Sequence, residues 1–358
     1  MYSFRQKIRH LMRHSSLVLG RPWVLKKVLE GYWRTRVLHR TVLRTLELAV
    51  TPACNTQCEM CYASRLHQPG QSILTPQEYR DIWRQAKKLG AFSVIISGGE
   101  PTVRPDLMDV IDAVEPKKSL IAVVSNGIQT ADFVERFVAA GVTTLHLSLD
   151  GTDPATHDAV RRHKGNFAKT LAAIDKAKAL GMNVYISTVI FRGGLAKMDD
   201  MVAFAAAHGI GIVFSLACPT GEKAGDESYV ITPAEWQAVQ KKMSANPHIR
   251  SDWTINLSGR VECPGGREKV AISPYGEVTG CGMNFVSFGN VRHEPLETIW
   301  RRMQRFPHFA RRSPDCLIGA DPQYIRDYLM PLAGCEHLPV RLPDHPAHAM
   351  PLGELDEK

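Results

Sequence analysis

From Leu46 onward the chain alternates between short apolar runs and longer segments with helical spacing. Residues 46–50, 93–96, 121–124, 144–149, 183–189 and 211–216 predict strands, because the runs are short, rich in Val, Ile and Leu, and set off by turn-forming residues. Between them, residues 77–89, 106–114, 131–140, 166–180 and 197–208 predict helices. The first helix opens on Thr75-Pro76-Gln77-Glu78, a capping box with proline at the first helical position. Strand–helix units in series imply parallel strands joined by right-handed crossovers. An open doubly wound sheet and a partial barrel share this periodicity. In both, ligands sit at the carboxyl ends of the strands.

Downstream, Thr232-Pro233-Ala234-Glu235 opens another capped helix, which ends near Asn246-Pro247. Residues 270–273 and 277–280 predict the arms of a hairpin across Pro274-Tyr275-Gly276. From Arg341 the chain is rich in Pro and His and is expected to be poorly ordered. Five regions result: an extension at 1–45, a strand–helix body at 46–216, a connecting helix region at 217–251, a small region at 252–340 and a tail at 341–358.

Charge separates the extension from the rest. Residues 1–44 carry eleven Lys or Arg against Glu30 alone, a balance of +10, which leaves −2 for the remainder of a chain whose net charge is +8. A basic excess confined to one end argues against a nucleic-acid groove lined by the whole fold, and no nucleic-acid partner is expected. Phe4, Ile8, Leu11 and Met12 share one helical face, with Arg5, Lys7, Arg9 and Arg13 around it. Gly20-Arg21-Pro22 interrupts that pattern, and Val24/Leu25, Val28/Leu29 and Tyr32/Trp33 repeat at four-residue spacing beyond it. Such helices can lie in a membrane interface with basic residues toward anionic head groups. They can equally pack on the body, and a transit peptide is also Arg-rich and acid-poor. No run of about 18 apolar residues is present to span a bilayer. The expected location is cytoplasmic, with association at the inner face of the membrane as the sharper alternative.

Eight cysteines change the picture again. Cys54, Cys58 and Cys61 follow the first predicted strand and stand too close together for a disulfide framework. Three thiolates so spaced can ligate three irons of a [4Fe–4S] cluster. The fourth iron then has no protein ligand, and an open position is what a metal needs to bind a substrate directly. A structural zinc would want a fourth ligand nearby.

The three-then-two spacing of these cysteines is similar to the signature of the radical S-adenosylmethionine (SAM) superfamily. Ser97-Gly98-Gly99-Glu100-Pro101, after the second strand, resembles that family's GGEP motif, which holds the amino group of SAM. Ser125-Asn126-Gly127 and Ser148-Leu149-Asp150-Gly151, after the third and fourth strands, resemble segments that touch its ribose or methionine part. Arg161 is a further candidate, for the SAM carboxylate. The resemblance covers about residues 46–216. The family usually has an aromatic residue before the third cysteine; here Met60 stands there, and a thioether can also pack on an adenine ring. The resemblance implies an α/β fold, a partial (β/α)6 barrel of parallel strands. It also implies SAM and a [4Fe–4S] cluster as cofactors, and an external electron donor of the flavodoxin or ferredoxin type. The implied reaction is reductive cleavage of SAM to a 5′-deoxyadenosyl radical, which removes a hydrogen atom from an organic substrate.

Cys263-Pro264-Gly265-Gly266, residues 272–278 and Cys281 resemble the hairpin of a SPASM or Twitch extension, a small α+β region that carries auxiliary iron–sulfur clusters. Gly289-Asn290-Val291 and Leu296-Glu297-Thr298-Ile299-Trp300 resemble its tail. A second [4Fe–4S] cluster on Cys263, Cys281, Cys316 and Cys335 is implied, although four thiolates also suit zinc. Cys218, just beyond the sixth strand, reads as a small buried thiol or as a hydrogen-atom donor to a substrate radical. Three substrate classes stay open: a lipid or lipid-linked molecule at the membrane surface, a soluble sugar or aminocyclitol to be oxidised or epimerised, and a peptide.

Overall fold

The structure, a computed structural model, describes residues 20–246, 249–251, 257 and 262–356. The apolar face expected around Phe4 to Met12 lies outside the described residues. Helix α1 (Pro22–Arg36) precedes β1 (Thr45–Ala49), α2 (Pro76–Leu89), β2 (Ser93–Ser97), α3 (Leu107–Ala113), β3 (Leu120–Ser125) and α4 (Val134–Ala140). Next come β4 (Thr144–Ser148), α5 (Pro154–Arg161), α6 (Asn166–Ala179), β5 (Asn183–Ile190), α7 (Leu195–Ala207), β6 (Gly211–Leu216), α8 (Pro233–Ala245) and β7 (Ile249–Ser251). The C-terminal region contributes the hairpin β8 (Lys269–Ile272) and β9 (Val278–Thr279), then β10 (Val286–Ser287), α9 (Leu296–Arg305) and β11 (Val340–Arg341).

The main sheet has the order β7-β6-β5-β4-β3-β2-β1-β8-β9. From β1 to β7 every neighbour is parallel and the order follows the sequence without reversal. A doubly wound sheet reverses at a switch point; this one winds in one direction only, as a barrel wall does. Among the described residues no pairing joins β7 to β9, so the wall stays open. The six predicted strands are all present, and β7 adds a seventh parallel strand. Hairpin β8–β9 is antiparallel as expected, but β8 also lies parallel to β1, with Thr45 opposite Lys269 and Glu47 opposite Ala271. The C-terminal region is thus joined to the barrel through a shared sheet.

Local chemistry explains the helix ends. Both capping boxes form: Thr75 with Glu78 at α2 and Thr232 with Glu235 at α8. Gly90, at φ 115°, ends α2 in the left-handed conformation that favours glycine. One face of α2 buries Tyr79, Ile82, Trp83, Ala86 and Leu89 against the sheet. Truncating Trp83 to alanine there would cost about 3–5 kcal/mol.

The strand register assigns the two sheet faces. Val94, Ile96, Val123, Leu145, Leu147, Ile186 and Phe214 are buried in the core on one face. On the other, Ile95, Val124, His146, Ser148, Ser187 and Ser215 alternate with them and are half-exposed. Glu47 and Lys269 belong to that second face. The inner surface of the barrel therefore mixes apolar with hydroxyl, imidazole and charged side chains and is partly open to a ligand.

Helix α1 packs on the body through Val24, which is fully buried, and Gly31, where a Cβ would stand 2.9 Å from Leu257. Its Leu29 and Trp33, together with Val37 and Leu38 just after it, remain exposed. No described helix is long and apolar enough to cross a membrane. The tail departs from expectation. Strand β11 pairs with β10, Leu342, His345 and Leu355 are buried, and Asp356 binds Arg302 at 2.8 Å. Spaced apolar anchors and this ion pair order a segment whose Pro and His content suggested a loose end.

Candidate active site

The loop carrying Cys54, Cys58 and Cys61 leaves the carboxyl end of β1 and has little regular structure of its own. Neighbouring strand ends hold it. After β2, the Gly99 amide donates to the Thr51 carbonyl at 2.8 Å and the Glu100 amide to the Ala53 carbonyl at 2.9 Å. After β3, the Asn126 side-chain amide donates to Asn55 Oδ1 at 2.7 Å and lies 3.8 Å from Cys54 Sγ. In α5, after β4, the Val160 carbonyl accepts from the Glu59 amide at 3.0 Å. After β6, the Glu222 amide donates to the Cys61 carbonyl at 2.9 Å. Gly221, at φ 61°, permits that approach, since a Cβ there would stand 2.1 Å from the Cys61 carbonyl oxygen.

The thiols converge on polar donors. Cys54 Sγ and Cys58 Sγ flank the Thr56 hydroxyl at 3.3 and 3.4 Å. The Arg161 guanidinium lies 3.7 Å from Cys58 Sγ and is held by the buried Asp150 carboxylate. Lys197, on α7, stands 3.8 Å from the other Asp150 oxygen. Burial opposes the charge of Asp150, but Arg161 and Lys197 outweigh it and hold its pKa below the usual carboxylate range. Burial likewise opposes the charge on Arg161, and Asp150 with Cys58 overcomes it. Burial pushes the Cys61 thiol up to about 11; coordination to a metal would deprotonate it. Arg161 Nε and His157 Nε2 are buried and have no hydrogen-bond partner. Buried donors are rarely left so. Three thiols on one short loop, beside cationic groups and unpartnered polar atoms, fit an anionic cluster with an anionic ligand bound to it.

The candidate SAM residues divide by what they touch. Gly98 and Gly99 let the chain approach closely, but the partner is its own cysteine loop: Cβ atoms there would stand 2.6 Å from the Thr51 oxygen and 2.2 Å from the Ala53 oxygen. Glu100 is fully buried, and its carboxylate accepts from Thr102, from Ser125 Oγ at 2.8 Å and from the Asn126 amide at 2.7 Å. It ties the loop after β2 to the loop after β3. Pro101 starts the short turn that follows. Ser148 ends β4 on the half-exposed inner face, and Met60 is half-buried within the cysteine loop.

A second centre lies in the C-terminal region. Cys263, Cys281 and Cys316 line one cavity of about 520 Å³, counting its open mouth, with Leu216, Phe309 and Ile318 among its apolar walls. Cys335 does not line it; the Cys335 carbonyl accepts from Arg65 at 3.0 Å, in the segment that follows Cys61. Among the described residues no three His, Cys, Asp or Glu side chains converge on one ion. Cys218 sits in the packed core with its Sγ 3.0 Å from Thr220 Oγ1, and burial pushes its thiol up to about 11.

Sequence reasoning did not single out Glu47, Lys269, His157 or Lys197. Each lies on a strand or helix whose periodicity gave no hint of function, and only the register brings them to the two centres. An isolated Glu in the run Thr45-Leu46-Glu47-Leu48-Ala49 was the one available signal: a charge on a strand otherwise apolar.

Residues 48–205 match the Radical SAM superfamily, and residues 263–317 match SPASM, an iron–sulfur cluster-binding domain. The AdoMet-dependent heme synthase of Methanosarcina barkeri is 28% identical over 325 residues, covering 82% of this chain and 90% of that protein. The mycofactocin maturase MftC of Mycobacterium tuberculosis is 26% identical over 366 aligned positions, covering 87% of this chain and 90% of that one. Streptococcus suis SuiB bound to its precursor peptide SuiA superposes with a TM-score of 0.61 at 16% identity, over 80% of this chain and 70% of SuiB; at that identity the likeness concerns the fold. The chain is a radical SAM enzyme with a SPASM extension, and its cofactors are SAM and [4Fe–4S] clusters.

Proposed function

We propose that the enzyme cleaves SAM at the Cys54, Cys58 and Cys61 loop and removes a hydrogen atom from an organic substrate lying on the inner face of the barrel. The observation that carries this reading is the unpartnered Arg161 Nε, buried on a guanidinium that already touches Cys58. Cys54, Cys58 and Cys61 would hold the [4Fe–4S] cluster, which would supply the one-electron reduction that splits SAM into methionine and a 5′-deoxyadenosyl radical. The remaining work belongs to the chain. Asp150 orients Arg161, whose free Nε–H is offered to the SAM carboxylate. Backbone groups at Gly98 and Gly99 face the amino group, Asn126 and Ser148 the methionine or ribose part, and Met60 the adenine. Ser125, Glu100 and Pro101 keep these loops in place. A flavodoxin- or ferredoxin-type protein supplies the electron. With dithionite, anaerobically reconstituted enzyme should form 5′-deoxyadenosine, and Cys58→Ala should abolish it. Steady release of S-adenosylhomocysteine alone would contradict the reading.

The substrate we favour is a lipid or lipid-linked molecule met at an anionic bilayer. Leu29 and Trp33 on α1 and Val37 just after it recur every four residues at 61, 60 and 50% exposure, in a stretch that also carries Lys26, Arg34 and Arg40. Each basic residue near an anionic surface adds about 1 kcal/mol of attraction. The protein should float with anionic liposomes at low salt, and Leu29→Asp with Trp33→Asp should prevent it. Absence of flotation from the unaltered protein removes the lipid reading. A peptide is the second reading, supported by the similarity to a mycofactocin maturase across 87% of the chain. A sugar or aminocyclitol is the third reading; of its two supports, the single auxiliary cluster stands and Cys218 is packed in the core.

A further inference from the structure

We infer that the buried Lys269–Glu47 pair sets the reduction potential of the auxiliary cluster: Lys269 draws an electron onto the cluster, and Glu47 tempers that pull. The inference rests on the iron–sulfur assignment of the C-terminal region and gives a role to two residues that hold no iron. Among the described residues lining the cavity of Cys263, Cys281 and Cys316, Lys269 is, thiols apart, the one with an ionisable side chain. The other residues are apolar, glycine, or neutral and polar, such as Ser215 and Asn284. Lys269 opens β8 opposite Thr45, and Glu47 stands two residues further along β1 on the same face. Their charged groups meet at 2.8 Å with the side chains 7 and 12% exposed. Glu47 does not line this cavity; it borders the neighbouring one with Ser273, Thr279 and Phe285. The cation therefore occupies the cluster side of the pair, with the carboxylate behind it.

A cluster held by thiolates gains one unit of negative charge with each electron it takes up, and local charge is among the factors that set its potential. A nearby cation therefore favours the reduced form and a nearby carboxylate the oxidised form. Leu216, Phe309, Leu317 and Ile318 wall the cavity, so little water screens either charge. At an effective dielectric of about 20, a unit charge within about 10 Å shifts an equilibrium between two charge states at least about tenfold. The cavity thiol nearest in the fold already feels both members. Burial pushes Cys281 up, Lys269 is the strongest influence against that rise, and Glu47 adds to it. Glu47 also accepts from the Gly282 amide at 3.1 Å, directly after Cys281, so its place relative to the thiol is fixed by backbone as well as by the ion pair. A pair that only fastened β1 to β8 would affect stability and leave the potential alone.

The test isolates this cluster in a Cys54/Cys58/Cys61→Ala background of the full chain, reconstituted anaerobically to about four irons. The cluster is titrated with dithionite against redox mediators and followed by EPR. At the poise that half reduces the background protein, Lys269→Met should lower the reduced-to-oxidised ratio at least about tenfold. Glu47→Gln, of nearly the same shape, should raise that ratio, and Lys269→Arg, which keeps the charge, should leave it close to the background value. Glu47→Gln combined with Lys269→Met leaves no charge unpaired. Because the cation is the nearer charge, this double variant should fall below the background, though by less than Lys269→Met alone. Failure of the loaded variants to shift in these directions overturns the inference. Where an unpaired charge keeps a single variant from holding iron, the double variant decides: an unchanged potential, or an empty double variant, makes the pair structural only. A background protein that binds no iron overturns the iron–sulfur assignment itself.

Discussion

Gly99→Ala asks whether backbone contact positions the cysteine loop. The new Cβ would stand 2.2 Å from the Ala53 carbonyl oxygen, 2.7 Å from its carbon and 2.8 Å from the Pro52 oxygen. All three are backbone atoms, so no rotamer change relieves the overlap, and the segment leading to Cys54 must shift. That shift breaks the Gly99–Thr51 and Glu100–Ala53 bonds of 2.8 and 2.9 Å. At about 1 kcal/mol for each bond, with about 1–3 kcal/mol for overpacking, the change costs about 3–5 kcal/mol. A domain stability of about 5–15 kcal/mol leaves the variant folded with its first centre displaced. Iron should fall from about eight to about four per chain, because the auxiliary cysteines lie elsewhere. 5′-Deoxyadenosine formation should fall to background. Gly165→Ala is the control: its φ of 81° carries strain, but a Cβ there meets nothing within 4 Å. Strain of about 1–2 kcal/mol should leave iron and SAM cleavage untouched. Full iron and undiminished cleavage in Gly99→Ala would refute the argument.

Asp150→Asn removes the charge that holds Arg161, and breaking one side of such a buried pair costs about 3–5 kcal/mol; SAM affinity measured by equilibrium binding should drop at least about tenfold, or about 1.4 kcal/mol, with iron content retained. Unchanged affinity would show that Arg161 is not oriented through Asp150. Burial holds the pKa of His157 at about 4, against 6.5 for a free histidine. The unfolded chain therefore takes up the proton first, so stability should decline as pH falls from about 6.5 toward 4 and level off above that window. His157→Gln should flatten this part of the urea-midpoint profile, and superimposable profiles would assign the effect to another group.

Much of the barrel was legible because its signals are local. Apolar runs, two capping boxes and turn residues mark strands and helices within a few positions of where they form. The cysteine triplet was legible for the same reason: its members are close in sequence and share one loop. What stayed hidden depends on distant pairing. Strand β7 has only three residues, too few for periodicity to register. Helix α5, which carries Arg161, begins with Pro154 beside Asp153 and has only eight residues. The role of Glu100 could not be read either. A carboxylate in a glycine-rich loop suggests a ligand, and only the structure shows its oxygens already taken by Thr102, Ser125 and Asn126.

The pairing of β8 with β1 has a consequence for how the two centres are related. Strand β1 runs directly into the loop of Cys54, and its Glu47 is buried on the inner face. One Glu47 oxygen binds Lys269 Nζ at 2.8 Å and also accepts from the Gly282 amide at 3.1 Å. Lys269 lines the cavity of the three C-terminal cysteines, and Gly282 directly follows Cys281. Gly282 lies close against this carboxylate, since a Cβ there would stand 2.3 Å from the other Glu47 oxygen. A single carboxylate, one short strand away from the first cysteine loop, is thus fastened to two points of the second centre. Both members of the ion pair are buried, so separating them would leave a charge unpaired in a low-dielectric interior. The spacing between the centres is then set by strand register and by this pair.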